Sequence, residues 1–372
     1  MLSNKIKIAY LISYLPKQGP VQVIYDIVKN IDFSKFDVIV ITLKNEEEYS
    51  LITQFKNLPI EIVQLESTYK YQVFKLERQL RVVLKVNGIQ ILHSHCTKSL
   101  FMSWLVCNVV VKFHTVHIYP GLQLIATNGY FVGNIINYFT KQLIRKIDYP
   151  ISCSESLKSS LFQKDKIFVD CIQNGVSPLS KPNISKFDLK KKLNLDPEVN
   201  YFISVGRFSR EKNFLFLVEQ FMRLNLKQYK LLILGDGPLF NEVLSISDDS
   251  IILTGFRQNV SYYLFASDYY LSSSLTEGMP LSVLEAMSAG LPLVLSDIEP
   301  HIEILKKART KKIGLTFKNN NQVDFEMIIE SLLQMNYLYL CENVNFVYEE
   351  YFSAKKMSNE YQKLYLNAIN KK

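Results

Sequence analysis

Cysteine is scarce and unpaired in this 372-residue chain. Five occur, Cys96, Cys107, Cys153, Cys171 and Cys341, and no two are spaced Cys-x-x-Cys. An odd number without that spacing argues against a disulfide framework and a structural zinc site; it fits free thiols in a reducing compartment. No Asp-x-Asp motif is present. Long apolar runs are missing too. The longest uncharged stretch, 113–140, is broken by His114, His117, Pro120, Gly121, Asn128, Gly129 and Asn134, and a spanning helix needs about 20 mostly apolar residues. Lys5 and Lys7 interrupt the first apolar run, which is expected as a strand and not as a secretion signal. Acid is nearly absent between residues 67 and 147, where Glu77 stands against ten Lys and Arg. The net charge of +8 therefore sits mostly in the first half. A solvated surface or an anionic membrane surface would suit it. No nucleic-acid-binding module is recognisable, so nucleic acid is not an expected partner.

What is present is a repeated alternation of short β-rich runs and helical stretches. Strands are expected at 6–12, 36–43, 60–65, 89–93, 109–115, 148–153 and 167–172, with helices such as 21–31 and 71–86 between them. A polar, proline-containing stretch at 177–200 reads as a linker with a short helix. The alternation then restarts, with strands at 201–205, 230–234, 251–253, 268–272, 291–295 and 313–317, helices at 213–225, 239–245, 260–266 and 282–289, and a helical tail at 353–370. Such a pattern implies an α/β protein of two Rossmann-like, doubly wound domains. The expected division is 1–176, 177–352, and a C-terminal helix at 353–372 packing back toward the first domain. Ligands of such sheets bind at the carboxyl ends of strands, so function is expected where two such edges face one another across a cleft.

Three constellations carry chemistry. Gly206-Arg207-Phe208-Ser209-Arg210-Glu211-Lys212 follows a strand and opens a helix, so a tight turn presents two cations near a helix N-terminus. That suits a diphosphate; a solvated basic turn is the alternative. Gly235-Asp236-Gly237-Pro238 is a second turn at a strand end, where glycines let backbones approach closely. In Glu277-Gly278-Met279-Pro280-Leu281-Ser282-Val283-Leu284-Glu285, amides at a helix start can donate to an anion, with a carboxylate on either side to accept from hydroxyls. Phosphate plus polyol describes a nucleotide sugar. A hydrolase acid/base pair is the other reading of two carboxylates, and the anion-binding turn between them disfavours it.

Together these elements resemble glycosyltransferase family four, the retaining GT-B enzymes also called glycosyl transferases group 1, of the bacterial surface-polysaccharide type. Gly206 to Lys212 match its G-x-[RF]-x-x-x-K element, Gly235, Gly237 and Pro238 its glycine-glycine-proline turn, and Glu277 and Glu285 its E-x7-E motif. The resemblance implies that Arg207 and Lys212 neutralise the donor diphosphate. It implies that Glu277 holds sugar hydroxyls and Glu285 the ribose. Gly278, Met279, Pro280 and Leu281 would line sugar and phosphate, partly through backbone, and Phe256 and Arg257 would meet the nucleobase. Gly19 would lie in a loop after the first strand, near the donor phosphate; where the family has a second glycine this chain has Pro20, which has no N–H to give. His117 matches the family's active-site histidine, Asn174-Gly175-Val176 its interdomain turn, and 152–156 its helix-opening serine motif. His93 and His95 are expected to face opposite sides of their strand.

The implied function is retaining, metal-independent transfer of a hexosyl or N-acetylhexosaminyl group. The donor is a nucleotide-diphosphate sugar, a UDP-sugar being favoured, and the acceptor a glycan or lipid-linked glycan, in O-antigen or capsule synthesis. No cofactor is expected. The place implied is the cytoplasm, with peripheral docking on the inner face of the cell membrane. A non-catalytic sugar-nucleotide-binding subunit and a nucleotide-sugar epimerase are the alternatives.

Overall fold

In the computed structural model the described residues are 5–46, 50–65, 73–106, 110–121, 124 and 129–371. The chain divides into two compact units. The first ends at Gly175 and resumes at Ala354; Val176–Ser353 forms the second.

The first unit is built on seven strands: β1 (Ile6–Ile12), β2 (Phe36–Thr42), β3 (Glu61–Gln64), β4 (Ile91–His95), β5 (Val111–Val116), β6 (Tyr149–Ser152) and β7 (Asp170–Cys171). They lie in the order β3-β2-β1-β4-β5-β6-β7, and every pairing is parallel. The strand order reverses between β1 and β4, the point where such sheets bind ligands. The central strands are buried along almost their whole length, so they read as continuous apolar runs rather than alternating ones.

Two local expectations are corrected. The fourth strand begins at Ile91 and not at residue 89. Gly88 has φ +63° after the helix Val73–Val86, and the Ile89 N–H returns 2.9 Å to the Leu84 carbonyl. That 6→1 bond closes the helix and uses up Ile89, so the strand can only start later. Gly19 is not in a loop. It is the first residue of the helix Gly19–Lys29, whose opening bonds run from the N–H groups of Val21 and Gln22 to the Gln18 carbonyl, at 3.1 and 3.0 Å. Pro20 occupies a position in the first turn where its missing N–H has no intrahelical partner to lose.

The helix Ala354–Asn370 completes the first unit. Ser358 Oγ donates to the Ile27 carbonyl at 2.8 Å, and Gln362 Oε1 accepts from the Asp32 N–H at 3.0 Å. Tyr361 and Tyr365 on the same helix are fully buried.

The second unit holds β8 (Asn200–Val205), β9 (Tyr229–Leu234), β10 (Ile251–Leu253), β11 (Tyr269–Ser272), β12 (Leu293–Ser296) and β13 (Gly314–Phe317). The order is β10-β9-β8-β11-β12-β13, again all parallel. Its core is rich in aromatics, with Phe202, Phe208, Phe221, Phe317 and Phe325 packed among Leu231, Ile233 and Leu332. The order reverses between β8 and β11, so the carboxyl ends of these two strands mark the expected ligand position. Among the described residues no helix is long and apolar enough to cross a membrane.

Candidate active site

At the carboxyl edge of the second sheet two glycine turns interlock. The Gly206 N–H donates to the Leu234 carbonyl at 2.9 Å, and the Phe208 N–H to the Asp236 carbonyl at 3.0 Å. Gly235 has φ +142°, and a Cβ there would stand 1.8 Å from the Gly206 carbonyl oxygen. A Cβ on Gly237 would meet the Phe208 carbonyl oxygen at 2.6 Å. The backbone after β8 thus packs directly on the backbone after β9, which only glycine allows. The Gly235 N–H also binds the Gly255 carbonyl at 3.0 Å, which joins the turn bearing Phe256 and Arg257 to the same edge. Both of those side chains are exposed, as is Arg207.

Lys212 closes a short 3₁₀ turn, Arg210–Lys212, and its side chain lies across Gly206, where a Cβ would come within 2.8 Å of Lys212 Cε. Lys212 Nζ donates to Glu277 Oε1 at 2.6 Å, and Ser274 Oγ donates to the same oxygen at 2.9 Å. Ser273 Oγ donates to the Lys212 carbonyl at 2.8 Å and ties the 3₁₀ turn to the end of β11. Burial pushes the Glu277 carboxyl up, but the Lys212 ammonium beside it and the hydrogen bonds from Lys212 and Ser274 outweigh burial and hold it below its ordinary value. A cation and a carboxylate from two of the motifs are therefore fixed against each other. An ammonium has three donors, and Glu277 takes one of them.

Behind this pair lies a chain that the sequence did not reveal. Ser296 Oγ donates to the Ser274 carbonyl at 2.6 Å, and His301 Nδ1 lies 3.0 Å from both Ser296 Oγ and the Ser296 carbonyl. Burial lowers the His301 imidazole to about 4, against the opposing pull of Glu277. The run of three serines at 272–274, closing a parallel strand, was the available signal for Ser273 and Ser274. Nothing in local pattern pointed to Ser296 or His301.

Gly278, Met279 and Pro280 are buried, and the helix Leu281–Ser288 follows. Met279 is only 5% exposed, so little of its side chain reaches the surface of this edge. Leu281 and Glu285 are partly exposed.

Gly19 and His117 belong to the first unit. His117 follows β5, and its Nε2 lies 2.8 Å from His95 Nδ1, with the rings stacked at 5.1 Å. His93 and His95 share one face of β4, with ring centroids 4.3 Å apart, and do not face opposite sides. The strand period is two, so positions i and i+2 coincide in direction. Among the described residues no group of three or more His, Cys, Asp or Glu is arranged to hold a metal ion.

The chain is similar to known proteins in both of its units. The family model described as Glycosyltransferase Family 4 matches residues 18–178, and that described as Glycosyl transferases group 1 matches 185–345. The UDP-Gal:alpha-D-GlcNAc-diphosphoundecaprenol alpha-1,3-galactosyltransferase of Escherichia coli is 31% identical over 236 residues, covering 58% of this chain and 60% of that enzyme's length. The O-antigen biosynthesis glycosyltransferase WclY of Escherichia coli is 21% identical over 97% of this chain and 98% of its own. Anabaena Alr3699/HepE, solved in complex with UDP and glucose, superposes with a TM-score of 0.78 at 14% identity, over 97% of this chain and 100% of the other.

Proposed function

The chain belongs to the group 1 glycosyltransferases, with the GT-B fold, and from that premise we propose that it transfers a hexosyl or N-acetylhexosaminyl group with retention from a nucleotide-diphosphate sugar. The donor we favour is a UDP-sugar. The acceptor is a glycan or lipid-linked glycan in O-antigen or capsule synthesis. The observation that carries this reading is the Lys212–Glu277 pair, held over Gly206 at the reversal point of the second sheet.

The residues divide the chemistry as follows. As the glycosidic bond to the diphosphate breaks, negative charge develops on the leaving oxygens. Lys212 and Arg207 stand where they can stabilise it, together with amides at the start of the helix Leu281–Ser288. Glu277, kept ionised, accepts from hydroxyls of the sugar, and Glu285 from the ribose. Phe256 offers a flat, half-exposed ring to the base. The acceptor hydroxyl attacks the anomeric carbon on the face the diphosphate leaves, and a departing phosphate oxygen takes its proton. This needs no metal, because fixed cations and amides provide the counter-charge. Glu277 keeps its role as hydroxyl acceptor in this scheme, so no protein nucleophile is required.

The same reading places the enzyme at an anionic membrane. Phe131, Ile135, Tyr138 and Phe139 on the helix Tyr130–Ile144 fall within about 100° of arc, and all are exposed, Phe131 by 81%. Arg145 and Lys146 follow the last turn, and Lys146 Nζ lies 5.9 Å above the Trp104 ring. Exposed aromatics beside cations are the composition of an interfacial helix, and a lipid-linked acceptor would share that plane.

The test is nucleotide release. The protein, a panel of UDP-sugars and a lipid-linked glycan should release UDP only when donor and acceptor are both present. Donor binding without acceptor-dependent release would favour the non-catalytic subunit. Release without an acceptor, giving free nucleotide and an epimerised sugar, would favour the epimerase.

A further inference from the structure

His95 closes β4, the strand beside the reversal point of the first sheet, and its neighbour β5 leads into His117. The two imidazoles meet through His95 Nδ1 and His117 Nε2 at 2.8 Å. Their placement is built from below. His93 packs on His95 with centroids 4.3 Å apart, and both its nitrogens are taken: Nδ1 by Tyr365 Oη at 2.6 Å and Nε2 by Thr115 Oγ1 at 2.9 Å. Tyr361 Oη lies 2.9 Å from that Thr115 oxygen. Two tyrosines of the C-terminal helix thus anchor the ring on which His95 rests. Directly after His95 the backbone is strained: Cys96, which is not glycine, has φ 70° and ψ 159°. Such a conformation is unfavourable for a residue with a Cβ and persists where surroundings over-determine it.

Both rings are neutral near pH 7. Burial lowers His117 to about 4, and burial with the neighbouring histidines drives His95 well below its ordinary value. One proton therefore lies in the 2.8 Å contact, and two arrangements could supply it. If His117 donates, His95 carries its own proton on Nε2. If His95 donates from Nδ1, His95 Nε2 is a bare lone pair. That Nε2 is buried and, among the described residues, has no hydrogen-bond partner. An orphaned buried N–H is the rarer and less tolerated of the two defects, whereas an under-used acceptor is met more often. The proton therefore belongs to His95 Nδ1.

We infer that His95 is a positioning residue that sets the tautomer of His117, so that His117 presents Nδ1–H as a hydrogen-bond donor at the carboxyl edge of the first sheet. His117 then recognises an oxygen acceptor, a sugar hydroxyl oxygen or a phosphate oxygen. It does not act there as a base, since its Nδ1 already holds a proton. This consequence for substrate rests on the transferase reading above; the tautomer itself does not.

The experiment uses the full chain labelled with 15N-histidine. Long-range 1H–15N correlation near pH 7.5, assigned with single His→Gln variants, reports each ring's tautomer without substrate. The expected result is the Nδ1–H form for both His95 and His117. In His95→Met the His117 ring should revert to the Nε2–H form usual for a free imidazole. In the UDP-release assay kcat should fall by about 100-fold, the order lost with one preorganised donor, with a smaller change in KM. His95→Asn can place an amide N–H at the former Nδ1 position and should restore both tautomer and most of kcat. An Nε2–H form of His117 in the wild type overturns the inference, and so does an unchanged tautomer in a folded His95→Met. If His95→Met fails to fold, the wild-type spectrum and His95→Asn decide. The expected tautomers in a protein with no transferase activity would uphold the inference and remove the substrate reading alone.

Discussion

Single atoms decide most of the site. Lys212 and Arg207 are expected to act on charge that appears only as the diphosphate leaves. Lys212→Ala and Arg207→Ala should each lower kcat by at least ~100-fold. Lys212→Ala should be the more damaging, because it also leaves the half-buried Glu277 beside Ser274 without its cation. Steady-state UDP release measures both, and near-wild-type turnover in the two variants would remove the diphosphate clamp. Gly235 makes a stability argument of the same sharpness. Its Cβ would overlap the Gly206 carbonyl oxygen, so Gly235→Ala must push two backbones apart, and a loss of about 3 kcal/mol is expected. Gly255 has φ +71° but no atom within 4 Å of a built Cβ, so Gly255→Ala meets only the left-handed backbone penalty of about 1 kcal/mol. Denaturant titration of the two variants should separate overlap from backbone strain; equal losses would show that the interlocked turns do not matter.

At the scale of elements, the helix Tyr130–Ile144 inverts the usual pattern of a surface helix. Gly133, Thr140, Leu143 and Ile144 face the protein, while the aromatics face outward. Amphipathic pattern alone gave a helix with apolar residues and a basic end. It did not say which face was covered, since a core helix and an interfacial helix share that pattern. Flotation is the measurement. The wild type should bind vesicles containing phosphatidylglycerol, and should release with added salt, because each basic residue near such a surface contributes ~1 kcal/mol that salt screens. Phe131→Asp with Phe139→Asp should abolish binding without lowering the melting temperature, since both side chains are exposed. Equal binding by wild type and the double variant would leave the aromatic face without a membrane role. The helix Ala354–Asn370 makes a different point. Its helical period was readable, but the use of Tyr361 and Tyr365 as partners for Thr115 and His93 joins residues 246 and 272 positions apart, and no local pattern carries that.

For the whole molecule, acid is the sensitive variable. His114 is lowered to about 3, His117 and His301 to about 4, and His93 and His95 are also well below the ordinary value near 6.5, burial being the main cause in each. An unfolded chain would protonate these rings as pH falls through 6.5, while the folded chain keeps them neutral. The unfolded state then binds more protons, so folded stability declines as pH falls. Each histidine contributes a slope of about 1.4 kcal/mol per pH unit in this window. Glu277, held below its ordinary value, acts in the same direction at lower pH. The melting temperature should therefore drop steeply between pH 6.5 and 4, ahead of general carboxylate titration. A flat profile down to pH 4.5 would show that these rings are protonated in the fold. Turnover, by contrast, should survive exhaustive chelation, since Lys212, Arg207 and helix-start amides can hold the diphosphate; rescue of a chelated, inactive enzyme by Mg²⁺ or Mn²⁺ would refute that.

Periodicity and glycine placement were enough to read two parallel α/β units, because buried parallel strands write continuous apolar runs into the chain and turns write glycines. The positions of Lys212 and Glu277 were legible for a related reason: both sit next to strand ends, where the fold always places its chemistry. That they touch one another was not legible, because 65 residues separate them and only the parallel order β8–β11 brings their strand ends side by side. The histidines show the same limit. Their number was visible, but which nitrogen of His117 carries a proton follows from His95, Thr115, Tyr361 and Tyr365 meeting in one buried volume. Long-range packing sets protonation through burial and partner geometry, and neither quantity exists until the chain has folded.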